Sequence, residues 1–247
     1  MNIWYTILMR VIANFKIFIK EIVNILFPNL CFSCLAKTEN NVLCSDCYNK
    51  IQFVTAPVCI LCQNPSNTRI CGKCLKKRIY YDRLICVMRY TGPIKDVIHN
   101  FKYTHHNFLA DFLSEFIFAY IEAVPYLNIC EYTLTAVPIH PAKLKERGYN
   151  QSYLLAKKIA NNFKIPVKND IIFKIKDNMS QTELKKTERA DNVINVFDID
   201  KNIPVNGKIM IIDDIFTTGS TVNECARLLK EHGAKEVVVL TLAKTVL

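Results

Sequence analysis

The chain has 247 residues, 51% hydrophobic and 22% charged, with a formal net charge of +10. This is ordinary for a globular protein and leaves room for one good core and a small extra module, not for several full-sized domains. The charge is uneven: residues 1–80 hold 10 Lys/Arg against 3 Asp/Glu, a net +7, and residues 81–247 hold 22 against 19, a net +3. A basic excess in the first third points to a polyanion partner there or to a well-solvated surface, and charge alone does not separate the two.

Residues 1–27 are strongly apolar. Trp4, Leu8, Val11, Phe15, Phe18, Ile22 and Ile25 recur at alternating steps of four and three, with Arg10, Asn14, Glu21 and Asn24 on the other side. The spacing predicts an amphipathic helix. Arg10, Lys16, Lys20 and Glu21 make it a poor transmembrane span. It lacks the form of a signal peptide: the first charge follows the first apolar run and no A-x-A site comes after it. Cys31 is preceded by Pro28, Asn29 and Leu30, not by the small residues of a lipoprotein signal. The expected role is packing on the rest of the protein or on a partner, with a membrane surface as the minor alternative.

Four C-x2-C knuckles follow within 44 residues and use eight of the 11 cysteines: Cys31 with Cys34, Cys44 with Cys47, Cys59 with Cys62, and Cys71 with Cys74. Each knuckle turns two thiolates toward one ion, and two knuckles complete a tetrahedral Zn²⁺ site. Pairing in sequence order gives one site from Cys31, Cys34, Cys44 and Cys47 and a second from Cys59, Cys62, Cys71 and Cys74; interleaved pairing stays open. Disulfides would need an oxidising compartment, and nothing in the sequence exports the chain. Four-thiolate sites are closed, so two structural zinc ions are expected, needed for folding because so short a segment has little core of its own.

Lys50, Arg69, Lys73, Lys76, Lys77 and Arg78 lie in or just after this module, with Phe53, Tyr80 and Tyr81 nearby. Either the aromatics stack on bases of a nucleic acid or they pack the module onto the next domain. From residue 81 a second domain begins. Residues 84–90 read as a strand, 91–93 as a turn, 94–99 as the start of a helix and 109–124 as a long apolar helix ending near Pro125.

Residues 133–139 read as another strand, followed by AKLKERGYNQ at 142–151 and a helix through Ala160. Lys143, Lys145 and Arg147 at this strand-to-helix junction suit an anion such as a second phosphate group. His140 is a candidate base, though a structural role is as good an account of one histidine. Residues 171–175 are a strand, and the polar run 177–193 lies where a lid would sit, with Lys185, Lys186 and Arg189 able to close over a pyrophosphate. A solvated loop accounts for its polarity equally well.

The most specific stretch is GKIMIIDDIFTTGST at 207–221. Residues 208–212 form a short apolar strand, Asp213 and Asp214 follow at its carboxyl end, and Thr217, Thr218, Gly219, Ser220 and Thr221 make a hydroxyl-rich turn into a helix. Gly233 stops that helix and residues 237–240 form the next strand. Turn N–H groups at a helix N-terminus attract phosphate, and paired carboxylates suit a sugar diol or a hydrated Mg²⁺. Phosphate beside diol describes a ribose 5-phosphate. No Walker A loop is present.

This run is similar to the phosphoribosyl pyrophosphate (PRPP) motif of type I phosphoribosyltransferases. The resemblance implies that Asp213 and Asp214 hold the ribose hydroxyls and that Thr217, Thr218, Gly219, Ser220 and Thr221 hold the 5-phosphate. Taken with the cysteine knuckles, Phe101-Lys102-Tyr103, VPIHPAKLKERGYNQ at 137–151 and Q-x2-L-x4-R-x2-N within 181–192, in that order, the chain resembles the ComF family from about Phe27 to Lys244. Tyr149 and Phe216 stand where other apolar residues are common in that family.

The resemblance implies a type I phosphoribosyltransferase-like parallel α/β sheet at 81–247 and a double zinc ribbon at 28–78; the helix at 1–27, read from its spacing, lies before the part that the resemblance covers. It implies PRPP with Mg²⁺, pyrophosphate near His140, Lys143 and Arg147, and a lid carrying Gln181, Lys185 and Arg189. It further implies a cytoplasmic location, a role in DNA uptake during natural transformation, and single-stranded DNA and uptake-machinery proteins as partners. The alternative is a true phosphoribosyltransferase acting on an unidentified base or amine, unrelated to DNA.

Overall fold

The computed structural model describes residues 28–38, 42–124, 127–175 and 196–245. The chain divides into two compact units between Lys50 and Ile51. The expected helix at 1–27 and the expected lid at 177–193 lie outside the described residues.

The first unit holds the tetrad Cys31, Cys34, Cys44 and Cys47 and a short helix, α1 (Ser45–Tyr48). The second unit opens with a copy of the same design. Leu30 bridges Lys37 in the first knuckle, and Val58 bridges Pro65 in the second. Leu35 N donates to Cys31 O at 3.0 Å, and Gln63 N to Cys59 O at 2.8 Å. Leu35 and Gln63, each one residue past the second cysteine, share a left-handed φ of 62° and 54°. That backbone turns both thiols of a knuckle to the same side. A second short helix, α2 (Gly72–Leu75), starts at Cys71 as α1 starts at Cys44.

The main sheet has four parallel strands in the order β1-β6-β5-β2, where β1 is Arg83–Arg89, β2 is Tyr132–Ala136, β5 is Gly207–Phe216 and β6 is Ala234–Lys244. The central pair reads apolar without alternation because both faces are covered: Met210, Ile211, Ile212, Val239 and Leu240 are fully buried. Each such side chain contributes roughly 1.5–3 kcal/mol by leaving water, so these two strands anchor the domain. Helix α7 (Ser220–Glu231) packs on one face with Val222, Cys225, Ala226 and Leu229. Helices α3 (Gly92–Tyr103), α4 (Leu109–Ala123), α5 (Pro141–Arg147) and α6 (Gln151–Phe163) are the other α-helices among the described residues; α4 packs on α6, and α6 on β5 and β2.

The expected strand at 171–175 forms as β3 (Ile172–Lys174), but outside the main sheet. It pairs antiparallel with β4 (Phe197–Ile199), and Ile175 N donates to Val196 O at 2.9 Å. Two strand assignments from sequence, 208–212 and 237–240, are too short, and a third, 133–139, runs past the strand, which ends at Ala136. β2 begins at Tyr132, and β5 continues four residues past Ile212, so Asp213 and Asp214 are strand residues rather than the start of a loop. The reason is asymmetric pairing. β5 stays paired with β6 as far as Phe216 opposite Lys244, whereas its ladder with β2 ends at Ile212 opposite Ala136. The two carboxylates therefore stand on a step where β5 outruns β2. That step is the open crevice at the carboxyl ends of the strands.

Candidate ribose-phosphate site and zinc centres

The step places Asp213 and Asp214 among three other elements. Lys102 Nζ, at the end of α3, lies 2.8 Å from Asp214 Oδ1. Ser152 Oγ, in the first turn of α6, donates to Asp213 Oδ1 at 2.8 Å, and the backbone N–H of Asp214 donates to the same oxygen at 2.9 Å. Neither Oδ2 has a partner among the described residues. Burial and then the neighbouring charge of Asp214 push the Asp213 carboxyl up to about 7, against the pull of Lys102 and Ser152. Burial pulls the Lys102 ammonium down, but the Asp214 charge and hydrogen bond outweigh it, so its pKa is raised.

The 217–221 turn follows directly. Gly219 caps α7 with φ +82°, and Thr218 Oγ1 lies 3.0 Å from Ser220 Oγ. The first N–H groups of α7 have no intrahelical acceptor, which makes this end an anion cradle. Gly219 is required twice over: a Cβ there would meet the Phe216 ring at 2.6 Å, and the backbone is left-handed.

The junction at 137–151 is more ordered than its basic composition suggested. Residues 141–147 form a helix, α5, with Pro141 in its first turn and His140 as its N-cap. The His140 ring Nδ1 accepts from the Ala142 N–H at 3.2 Å, so the geometry gives this histidine a capping role. Arg147 donates to Gln151 Oε1 at 2.8 Å and its guanidinium lies 5.2 Å from the centre of the Tyr103 ring. Lys143 sits on α5. Asn150 caps α6, and its Nδ2 donates to Val137 O at 3.0 Å, fastening the start of α6 to the end of β2. Gln151 Nε2 is buried with no hydrogen-bond partner among the described residues, a donor held at the start of α6 one residue from Ser152. Gln181, Lys185 and Arg189 lie outside the described residues.

Sequence reasoning missed Lys102, Ser152 and Asn223. Lys102 stood in a noticed tripeptide without a role, and only the packing of α3 against the sheet end shows that it neutralises Asp214. Asn223 is a polar residue in the first turn of α7. Its Oδ1 accepts from Tyr80 N at 2.8 Å and its Nδ2 donates to Arg78 O at 3.1 Å. One amide thus clamps the segment after the second cysteine cluster onto α7.

Both cysteine tetrads assemble in sequence order, which settles the pairing left open by the spacing. In each, all four Sγ atoms lie within 4.8 Å of one another. Cys34 and Cys44 Sγ are 3.5 Å apart, and Cys62 and Cys71 Sγ are 3.7 Å apart. Tetrahedral Zn–S bonds of about 2.3 Å require sulfurs about 3.8 Å apart, so both tetrads fit the ion. Cys71 N–H donates to Cys59 Sγ at 3.3 Å, and the Cys74 backbone N–H holds the Cys71 thiol down at about 7. The second tetrad is fixed to β1: Leu84 N donates to Ile60 O at 2.8 Å, Gln63 Nε2 to Leu84 O at 2.9 Å, and Tyr81 Oη to Leu61 O at 2.7 Å. Tyr81 is therefore a buried packing residue and not a platform for bases. Phe53 is half exposed with its ring 6.1 Å from Phe116, and Tyr80 carries the Arg78 guanidinium at 5.1 Å.

Comparison with known proteins matches the cysteine tetrads and the sheet to two domain families. A double zinc ribbon domain matches residues 22–75 and a phosphoribosyl transferase domain matches residues 150–245. The DNA utilization protein YhgH of Salmonella typhi is 30% identical over 230 residues, covering 88% of this chain and 98% of that protein. The chain belongs to the ComF family. Competence protein F of Haemophilus influenzae is 29% identical over 211 residues, 83% of this chain and 91% of the other. Competence protein ComFC of Streptococcus pneumoniae is 26% identical over 215 residues, 85% and 91% respectively. The expected fold is thus correct: this ComF-family chain carries a phosphoribosyltransferase-type parallel sheet with zinc-ribbon cysteine sites before it. Among the described residues no helix is long and apolar enough to cross a membrane.

Proposed function

We propose that the protein binds Mg²⁺-PRPP at the β5 step and serves DNA uptake by handling single-stranded DNA. The observation that carries the first part is the carboxylate pair on the step, charge-compensated by Lys102 and followed at once by the α7 cradle. Asp213 and Asp214 keep their Oδ2 atoms for the ribose hydroxyls, and the 217–221 turn takes the 5-phosphate. His140, Lys143, Arg147 and the start of α6 lie on the pyrophosphate side, with the buried Gln151 amide as a further donor. Mg²⁺ fits this oxygen-rich setting as an ion carried in by the pyrophosphate, where it would neutralise phosphate charge. Gln181, Lys185 and Arg189 would close over the ligand.

The DNA part is supported by the competence and DNA utilization names of the relatives and by the exposed Lys73, Lys76, Lys77 and Arg78. DNA-uptake proteins are the partners this role implies, and the cytoplasm is where PRPP and an incoming strand would meet. Titration of Mg²⁺-PRPP into the zinc-loaded chain tests the site: saturable one-to-one binding is expected, and a folded protein that takes up none contradicts it. Pyrophosphate release on offering bases or amines would turn the binding site into that of a phosphoribosyltransferase.

A further inference from the structure

We propose that the cavity between the second cysteine cluster and the phosphate loop binds a nucleotide, free or within a single DNA strand, with its phosphate on Lys73, Lys77 and Arg78. The inference rests on reading the 217–221 turn as the ribose-phosphate cradle, and it assigns the space beside that cradle. The cavity measures about 450 Å³, enough for a nucleotide. Residues 216–220 line one side of it, while neither Asp213 nor Asp214 does. It is therefore a neighbour of the carboxylate step and not the step itself.

Among the described residues four cations line the cavity, Lys73, Lys77, Arg78 and Lys244, and no Asp or Glu does. None of the four pairs with a carboxylate among the described residues. Lys244, at the end of β6, is only 5% exposed and donates to the neutral Asn64 Oδ1. Burying an ammonium without a counter-charge is unfavourable unless something else supplies one. The zinc tetrad does so in part, since Cys62 and Cys74 line the same cavity as Lys244 and four thiolates around Zn²⁺ would carry two net negative charges. Lys73, Lys77 and Arg78 stay exposed on the same wall, which gives it a positive potential. An anionic ligand completes the set.

The rest of the lining suits a base and sugar. Leu61, Ile79 and Phe216 give apolar surface, and Asn64 and Thr217 give hydrogen-bonding groups. The basic wall is held in place because Asn223 grips the backbone at Arg78 and Tyr80. A wall fixed to the phosphate-loop helix keeps a constant distance from it, which a surface patch of free lysines would not. The second cysteine module thereby acts as the recognition wall of a ligand cavity as well as a folding unit.

The test uses the zinc-loaded full chain, the variant Lys77→Ala/Arg78→Ala, and three probes: thymidine, thymidine 5′-monophosphate and a dT hexamer. Both substituted side chains are exposed, so the zinc content and the urea midpoint of the variant should stay as in the wild type. The expected result is salt-sensitive binding of the monophosphate, none of thymidine, and a loss of about tenfold in the variant. An equal loss for the hexamer places the strand in the same cavity; loss for the monophosphate alone makes a free nucleotide the occupant. Wild-type protein that ignores both phosphate-bearing probes, or a variant that binds them unchanged, overturns the proposal. Nucleotide binding that survives in a protein taking up no PRPP would sink the ribose-phosphate reading and leave the cavity assignment standing.

Discussion

Lys102 and Asp214 form a 2.8 Å ion pair between the end of α3 and the protruding part of β5, with 19% and 8% of their side chains exposed. The pair explains how two adjacent carboxylates are kept at a strand end: one is neutralised by lysine, and the other is held by Ser152 and a backbone N–H. Breaking a buried pair by removing one partner leaves the other charge uncompensated, at a cost of about 3–5 kcal/mol. Lys102→Met should lower the unfolding free energy by that amount in urea titration. Lys102→Met combined with Asp214→Asn should recover most of it. A single variant as stable as wild type would show that the pair is not formed in solution.

The raised Asp213 pKa gives a pH dependence of definite sign. The folded carboxyl titrates at about 7, above the ordinary value of about 4, so between those limits the folded state binds more protons than the unfolded one. Its penalty is absent below about pH 4 and fully present above about pH 7. Stability should fall as pH rises through this window, by on the order of 4 kcal/mol. Asp213→Asn keeps the acceptor for Ser152 and should flatten that dependence, gaining on wild type at pH 8 but not at pH 4. Urea midpoints at the two pH values decide; parallel profiles for the two proteins would contradict the assignment.

Gly219→Ala brings both of its difficulties into one turn. A left-handed φ costs an L residue about 1–2 kcal/mol, and the new methyl would meet the Phe216 ring at 2.6 Å. The α7 cradle must shift to accept it. PRPP uptake should be lost, while the zinc content and the far-UV spectrum stay those of the wild type. Retained uptake would move the phosphate elsewhere.

The two zinc sites should separate functionally. Metal analysis is expected to give two zinc ions per chain, and one after either Cys34→Ser or Cys62→Ser. Cys34 belongs to the first compact unit, and Cys62 to the unit that contains the β5 step. Cys62→Ser should therefore lower the melting temperature of that unit and weaken ligand uptake, whereas Cys34→Ser should leave PRPP binding unchanged. Equal effects of the two substitutions would contradict this division.

Much of this was legible in the sequence because the signals are local. The knuckles, the apolar β5 run, the acidic pair and the 217–221 turn are each contiguous, and their chemistry follows from spacing. What escaped depends on contacts between distant residues. Lys102 meets Asp214 across 112 positions, Asn223 meets Arg78 across 145, and Lys244 meets Asn64 across 180. The length of β5 escaped because its end is set by β6 on one side only. For Tyr81 the sequence leaves base stacking and packing open, because nothing local reveals that its hydroxyl is taken by Leu61 O. His140 sat beside a basic cluster, yet its cap on α5 appears only once Pro141 is seen to start a helix.

The most direct measurement is calorimetric titration of Mg²⁺-PRPP into zinc-loaded wild-type protein and into the isosteric variant Asp213→Asn/Asp214→Asn, with folding of both checked by urea unfolding. The account predicts one-to-one binding by the wild type and its loss in the folded variant. Absence of binding by the folded wild type, or equal binding by the variant, would contradict the claim that the β5 step is a ribose-phosphate site.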